Sequence, residues 1–120
     1  MRKVVNLSDK LKLFADHWHP RIVAEVDTYY LKLAKVRGQF VWHNHQDQDE
    51  MFLVLAGELT IKMRDGDVHL KEGELYVIPR GVDHCPEAAE ETSILLLERA
   101  DTAHTGDVVS RLTVTTQDWV

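Results

Sequence analysis

The chain has 120 residues and carries 14 Lys and Arg against 20 Asp and Glu, a formal charge of −6. Hydrophobic residues make up 44% and charged residues 28%, a globular balance that excludes a disordered tail or a fibrous protein. No apolar run approaches the ~20 residues of a bilayer span, and a single cysteine, Cys85, excludes an internal disulfide.

Ser8 is a candidate cap for a short helix running to about Ala15, with Leu7, Leu11, Phe14 and Trp18 near one face. Pro20 ends any such helix. From there the pattern is strand-like. The expected strands are 21–27, 28–36, 39–45, 50–56, 58–64, 67–70, 74–79, 92–99 and 111–116, separated by Gly38, Gly57, Asp65-Gly66, Gly73 and Gly81. Asp-Gly in "MRDGDVHL" suits a type I′ hairpin turn. Many short strands with one helix predict an all-β barrel or sandwich, one domain over 1–120.

Charge is unevenly placed. Residues 1–42 hold eight basic and four acidic side chains, whereas residues 43–120 hold six and sixteen. No basic stripe is present, so a nucleic-acid partner is not expected. The acidic half repels anionic substrates unless a cation sits among its carboxylates. The start, MRKVVNLSDK, lacks an apolar core and a small-residue cleavage site. With the lone cysteine, that predicts a cytoplasmic setting and no membrane partner.

The chemistry concentrates on two strand–turn stretches. In "GQFVWHNHQDQDEMFLVLAG" (38–57), His43 and His45 lie two apart on an expected strand, so their imidazoles share a face. Glu50 opens the next strand, where a hairpin brings its carboxylate back beside them. In "GELYVIPRGVDH" (73–84), a strand ends at Pro79, turns at Gly81 and presents His84. Three His and one Glu offer donors suited to a divalent Fe, Mn, Ni, Co, Cu or Zn ion.

These stretches resemble the two motifs of the cupin superfamily. The first resembles G-x5-H-x-H-x3,4-E-x6-G, matched by His43, His45, Glu50 and Gly57, with Gly38 one residue closer to His43 than the strict form. The second resembles G-x5-P-x-G-x2-H-x3-N, matched by Gly73, Pro79, Gly81 and His84, with Ala88 in the Asn position. Motif two thus extends over 73–88. The resemblance implies a small cupin-type β-barrel (a jelly roll), with one divalent transition metal held by His43, His45, Glu50 and His84. Short single-domain cupins of this kind are often labelled mannose-6-phosphate isomerase-like, a label for a fold group rather than a reaction.

The remaining candidates receive plainer roles. His17 and His19 lack a partner at fixed spacing and are read as structural, His69 as solvent-facing, and His104 as without a role. Cys85 follows His84 directly, points to the other face and is read as a buried thiol. Asp47 and Asp49 hold the turn, and Arg80 is an exposed turn residue, too little for a sugar phosphate. Strand parity places Gln39, Val41, Phe52 and Val54 on the pocket side, with Phe40 and Trp42 facing away. Met51, Leu53 and Leu55, together with the run Ile94–Leu97, leave strands apolar on both faces. That predicts a symmetric homodimer, unless the N-terminal segment covers the outer face. Three functions fit: a dioxygenase, a Lewis-acid isomerase or epimerase, or a non-catalytic binder of a small molecule or metal.

Overall fold

The computed structural model describes residues 3–120. The described residues form eight strands: β1 (Arg21–Val26), β2 (Tyr29–Gln39), β3 (Glu50–Ala56), β4 (Glu58–Met63), β5 (Val68–Lys71), β6 (Leu75–Ile78), β7 (His84–Arg99) and β8 (Asp118–Trp119). The expected all-β class is observed, with one short helix, α1 (Leu7–Leu11).

Strand β7 organises the jelly roll. It pairs antiparallel with β2 from Tyr29↔Arg99 to Gln39↔Glu87. Its other edge is divided: His84–Glu87 pair with β4, and Ser93–Leu97 pair with β3. Strand β5 extends β4, β6 extends β3, and β1 followed by parallel β8 extends β2. The long ladder path is β5-β4-β7-β2-β1-β8, with β3 and β6 branching from β7.

Period-two alternation splits the apolar residues into two cores. Ala34, Val36, Val54, Leu59, Ile61, Ile94 and Leu96 face inward with Phe40 and Phe52. Leu33 and Leu95 face outward and are covered by Phe14, with Leu7, Leu11 and Val120 packed around them. The covering segment is fixed by polar bonds, Lys35 Nζ donating to Phe14 O at 2.7 Å and Trp18 N–H to Lys35 O at 2.9 Å. Each fully buried aliphatic or aromatic side chain contributes roughly 1.5–3 kcal/mol.

Several expectations are corrected. The helix ends at Leu11 and is capped by Asn6, whose Oδ1 accepts the Asp9 N–H at 2.9 Å, rather than by Ser8. Helical periodicity cannot continue, because Phe14 packs outside the sheet while Trp18 (φ 60°) enters the inner core. Residues 40–49 are an irregular loop with one isolated bridge, His43↔His84, instead of a strand over 39–45. Strand β7 begins at His84, eight residues before the expected start, because pairing with β2 and β4 extends it through polar residues. Residues 111–116 are irregular, and the last strand is Asp118–Trp119.

Gly57 joins β3 to β4 with φ +97°, and a Cβ there would lie 2.5 Å from Thr92 Oγ1 and 3.1 Å from Thr92 Cα. Thr92 Oγ1 in turn donates to Glu58 O at 2.9 Å. Gly57→Ala is therefore expected to destabilise the fold by about 2 kcal/mol or more. Urea unfolding checks this, and an unchanged midpoint would show that the corner relaxes freely.

Candidate metal centre

His84 opens β7 and Glu50 opens β3, so regular strands fix both backbones. The irregular loop carrying His43 and His45 is stitched onto them. His43 N–H donates to His84 O at 3.0 Å, His84 N–H to His43 O at 2.9 Å, and Gly81 N–H to His45 O at 2.8 Å. Asp49 Oδ1 accepts the Arg80 N–H at 2.9 Å, which locks the two motif turns together.

One donor atom from each of His43, His45, Glu50 and His84 lies within 4.8 Å of the others, and all four residues are buried. Tautomers follow from the backbone. His43 Nδ1 faces Val41 O and His84 Nδ1 faces Val82 O, both at 2.9 Å. A carbonyl only accepts, so each Nδ1 carries the hydrogen and each Nε2 presents a lone pair. His84 Nε2 stands 3.4 Å from Glu50 Oε1, and His45 Nε2 stands 3.5 Å from Glu50 Oε2. His45 Nε2, His84 Nε2 and Glu50 Oε1 are buried with no hydrogen-bond partner. His84 Nε2 and Glu50 Oε1, two acceptors facing each other in a dry site, are costly unless a cation lies between them, so this donor set fits a divalent metal.

Burial, reinforced by the neighbouring His84, pushes His43 down to about 4, keeping it neutral and able to ligate. Burial alone would raise Glu50. The hydrogen bond from Glu98 and the contacts with His45 and His84 outweigh it, holding Glu50 well below the usual carboxylate range. Glu98 is displaced upward, first by burial and then by Glu50 beside it. Lys32 Nζ meets Glu98 Oε1 at 2.8 Å, with both side chains buried.

A small cavity lies beside these groups. Trp18, Phe40, Phe52, Ile94 and Leu96 wall it, with His43, Glu50, Glu98 and His104 as polar lining. Phe52 is among its lining residues. Gln39 is not: it is exposed and accepts from Lys62 Nζ at 3.0 Å. Val41 is half-buried against the inner core, and Val54 is fully buried within it; neither lines the cavity. Phe40 points inward, stacked on Trp18 at 4.7 Å and edge-on to His43 at 5.5 Å. The parity argument fails here because residues 40–49 are not a strand.

Four further lining or supporting residues escaped the sequence reading. Lys32 and Glu98 were detectable, since each shares the parity of inward apolar neighbours: Ala34 and Val36 for Lys32, Ile94 and Leu96 for Glu98. Trp18 and His104 reach the cavity from irregular segments, which leave no periodic signal. The structural readings of the other histidines agree with their contacts. His17 pairs with Glu91, His19 with Asp16 and Asp118, and the exposed His69 with Thr60 and Glu58. Cys85 is buried, and burial pushes its thiol up.

Burial also pushes His104 down to about 4. From pH 6.5 towards 4 the unfolded chain binds a proton that folded His104 refuses, so this contribution to stability is lost as pH falls, by up to about 3 kcal/mol. Urea unfolding of metal-free protein at pH 7 and 4.5 checks this. The acid-induced drop is expected to be smaller in His104→Phe, and equal drops would refute the assignment.

Comparison with known proteins fits this geometry. Residues 30–98 match the cupin domain family. A cupin-2 domain-containing protein from Shewanella frigidimarina NCIMB 400 is 51% identical and superposes with a TM-score of 0.79, over 80% of this chain and 94% of that one. The Bacillus subtilis protein YdbB, itself uncharacterized, is 36% identical over 77 residues, 63% of this chain and 68% of its own. The 3-hydroxyanthranilate 3,4-dioxygenase of Danio rerio is 29% identical over 77 residues, 59% of this chain but 27% of the enzyme's length. Hydroquinone 1,2-dioxygenase from Sphingomonas sp. TTNP3, with 4-hydroxybenzoate bound, shares the fold at a TM-score of 0.63 and 15% identity, over 73% of this chain and 69% of that one. With the family match spanning more than half of its length, this chain belongs to the cupin domain family.

Proposed function

We propose that the protein is a metal-dependent cupin of the dioxygenase type, acting on a small, flat organic molecule that bears oxygen. The observation that carries this reading is the buried set of four donors, with orphaned Nε2 and carboxylate atoms, beside an aromatic-walled cavity. His43, His45, Glu50 and His84 would hold one divalent transition metal. When bound, a redox-active ion supplies coordination positions for a chelating substrate and for O₂. The chain's own residues do the rest: Phe40, Phe52 and Trp18 exclude water and orient a ring, while Glu98 and Lys32 keep the Glu50 carboxylate in place. Dioxygenases named for 3-hydroxyanthranilate and hydroquinone among the similar proteins support this class.

A sugar-phosphate isomerase is the weaker reading. Among the described residues the cavity lining includes no Lys or Arg, Lys32 is bound to Glu98, and Arg80 is exposed beside Asp49. The test is O₂ uptake by the iron(II)-loaded protein given 3-hydroxyanthranilate, hydroquinone or catechol. One O₂ consumed per molecule of at least one substrate is expected. No uptake with any of the three, together with turnover of sugars under argon, would transfer the protein to the isomerase class.

A cytoplasmic, reducing setting suits the buried free thiol of Cys85. We also propose a symmetric homodimer. The N-terminal segment covers Leu33 and Leu95 but leaves Val26 and Tyr29 exposed beside Leu31 and Leu97, and Leu75 and Val77 exposed on β6. Light scattering at micromolar concentration should give twice the chain mass; a single-chain mass unchanged on concentrating would refute the dimer.

A further inference from the structure

Residues 40–49 are irregular, so the loop that carries His43 and His45 takes its shape from what touches it. The strand β7 and the motif-two turn hold it through the His43↔His84 bridge and the Gly81 N–H bond to His45 O. The loop also meets the C-terminal segment, residues 100–117, which contains no strand and is held together largely by side chains. Thr105 Oγ1 meets Thr113 Oγ1 at 2.8 Å, and Ser110 N–H donates to Thr113 Oγ1 at 3.0 Å. Val114 N–H donates to His104 Nδ1 at 2.8 Å, and Gln117 Nε2 to Ala100 O at 2.7 Å.

The segment touches the loop through His104, Gly106 and Asp101. The His104 ring packs on Phe40 at 5.0 Å, and Phe40 lies edge-on to His43 at 5.5 Å. Gln48 Nε2 reaches Asp101 Oδ1 at 3.5 Å. The tightest approach is at Gly106, whose φ is +58°. A Cβ built there would collide with Asn44 O and lie 3.2 Å from Asn44 C. That carbonyl belongs to the peptide leading from Asn44 into His45. Asn44 is held from the motif-two side as well, its Nδ2 donating to Asp83 Oδ1 at 2.7 Å, next to His84 in the chain. The residue between the two loop histidines is therefore clamped between the C-terminal segment and the residue that precedes the third. A Cβ at Gly106 would have to drive the segment and the Asn44 peptide apart by about 1 Å to reach ordinary contact. Ligand sets tolerate errors of only about 0.5 Å.

We propose that the C-terminal segment is a strap that positions the metal loop, with Gly106 a positioning residue acting through Asn44 on His43 and His45. The inference rests on the reading above, that His43, His45, Glu50 and His84 hold a metal. The strap's part is to fix the loop backbone, not to donate a ligand atom. Coupling of this kind is reciprocal: a strap that tightens the metal site is itself tightened when metal binds.

The test compares Gly106→Ala with Gly66→Ala. Gly66 also has positive φ, but a Cβ there meets nothing within 4 Å, and the residue lies outside both motifs. Zinc affinity is measured by competition with a chromophoric chelator, below the onset of unfolding for each variant. Gly106→Ala is expected to bind zinc about tenfold or more weakly than wild type, the usual scale for lost outer support. Gly66→Ala should keep wild-type affinity. The visible bands of the cobalt(II)-loaded protein, which report ligand geometry, should shift in Gly106→Ala and not in Gly66→Ala. In wild type, saturating zinc should slow hydrogen exchange at the amides of Gly106, Val108 and Val114, all bonded within the segment, as well as at those of the loop. If Gly106→Ala loses urea stability but keeps wild-type zinc affinity and cobalt bands, the inference falls and the metal-site reading stands. Equal weakening in Gly66→Ala would assign the effect to backbone strain and overturn the inference too. If wild type binds no zinc, the metal-site reading falls and takes the inference with it. Should Gly106→Ala fail to fold, exchange in wild type decides, and zinc protection of the loop with none in the segment overturns the inference.

Discussion

The protein carrying His43→Ala and His45→Ala together should retain less than a tenth of an equivalent of metal after dialysis, against one equivalent for wild type. Two of the four converging donors are removed, and neither Glu50 nor His84 has a replacement within the cluster. Loss of an outer-shell partner alone typically costs 10–100-fold in affinity, so loss of two direct ligands should cost far more than about a hundredfold. Thermal unfolding gives a second readout. A ligand at about 100 times its Kd stabilises the native state by about 2.7 kcal/mol, or roughly 10 °C for a domain of this size. Added metal should produce that shift in wild type and none in the variant. Full metal retention by the variant would refute the ligand set.

A second large effect is expected at the buried contact between Lys32 and Glu98. Glu98→Leu removes the carboxyl that Lys32 Nζ contacts at 2.8 Å, leaving an ammonium on a side chain only 7% exposed. Breaking a buried pair from one side costs about 3–5 kcal/mol, because the remaining charge is neither solvated nor compensated. The double change Lys32→Met with Glu98→Leu removes both polar ends from a wall that already contains Ala34, Val36, Ile94 and Leu96, and most of the loss should be recovered. Urea unfolding of the single and double variants forms the cycle. If the single variant is no less stable than the double, the pair is not coupled and Glu98 is not needed to hold Lys32.

Much of this was legible without coordinates. Alternation at β3 and β4, with Gly57 and Asp65-Gly66 marking the corners, follows from side-chain period and turn chemistry alone. The two His-rich motifs specify donor types, and donor type is a property of residue identity and spacing. Their convergence within 4.8 Å follows because two strand ends and two tight turns carry them.

What eluded the sequence lies where local rules are overridden by long-range contacts. Residues 40–49 take their shape from bonds to the motif-two turn and β7, so parity put Gln39 in the cavity and Phe40 outside, the reverse of what occurs. Polar residues such as Glu87 and Glu90 masked the first half of β7, which owes its extension to pairing partners more than 20 residues away in the chain. Trp18 and His104 enter the cavity on turns whose geometry is set by docking against the barrel. Residue types and their periodicity thus determined the strand repertoire and the chemistry of the donor set. Only tertiary packing decided which aromatic rings wall the cavity, and which charges and donors face it, because irregular backbone carries no period from which a direction can be read.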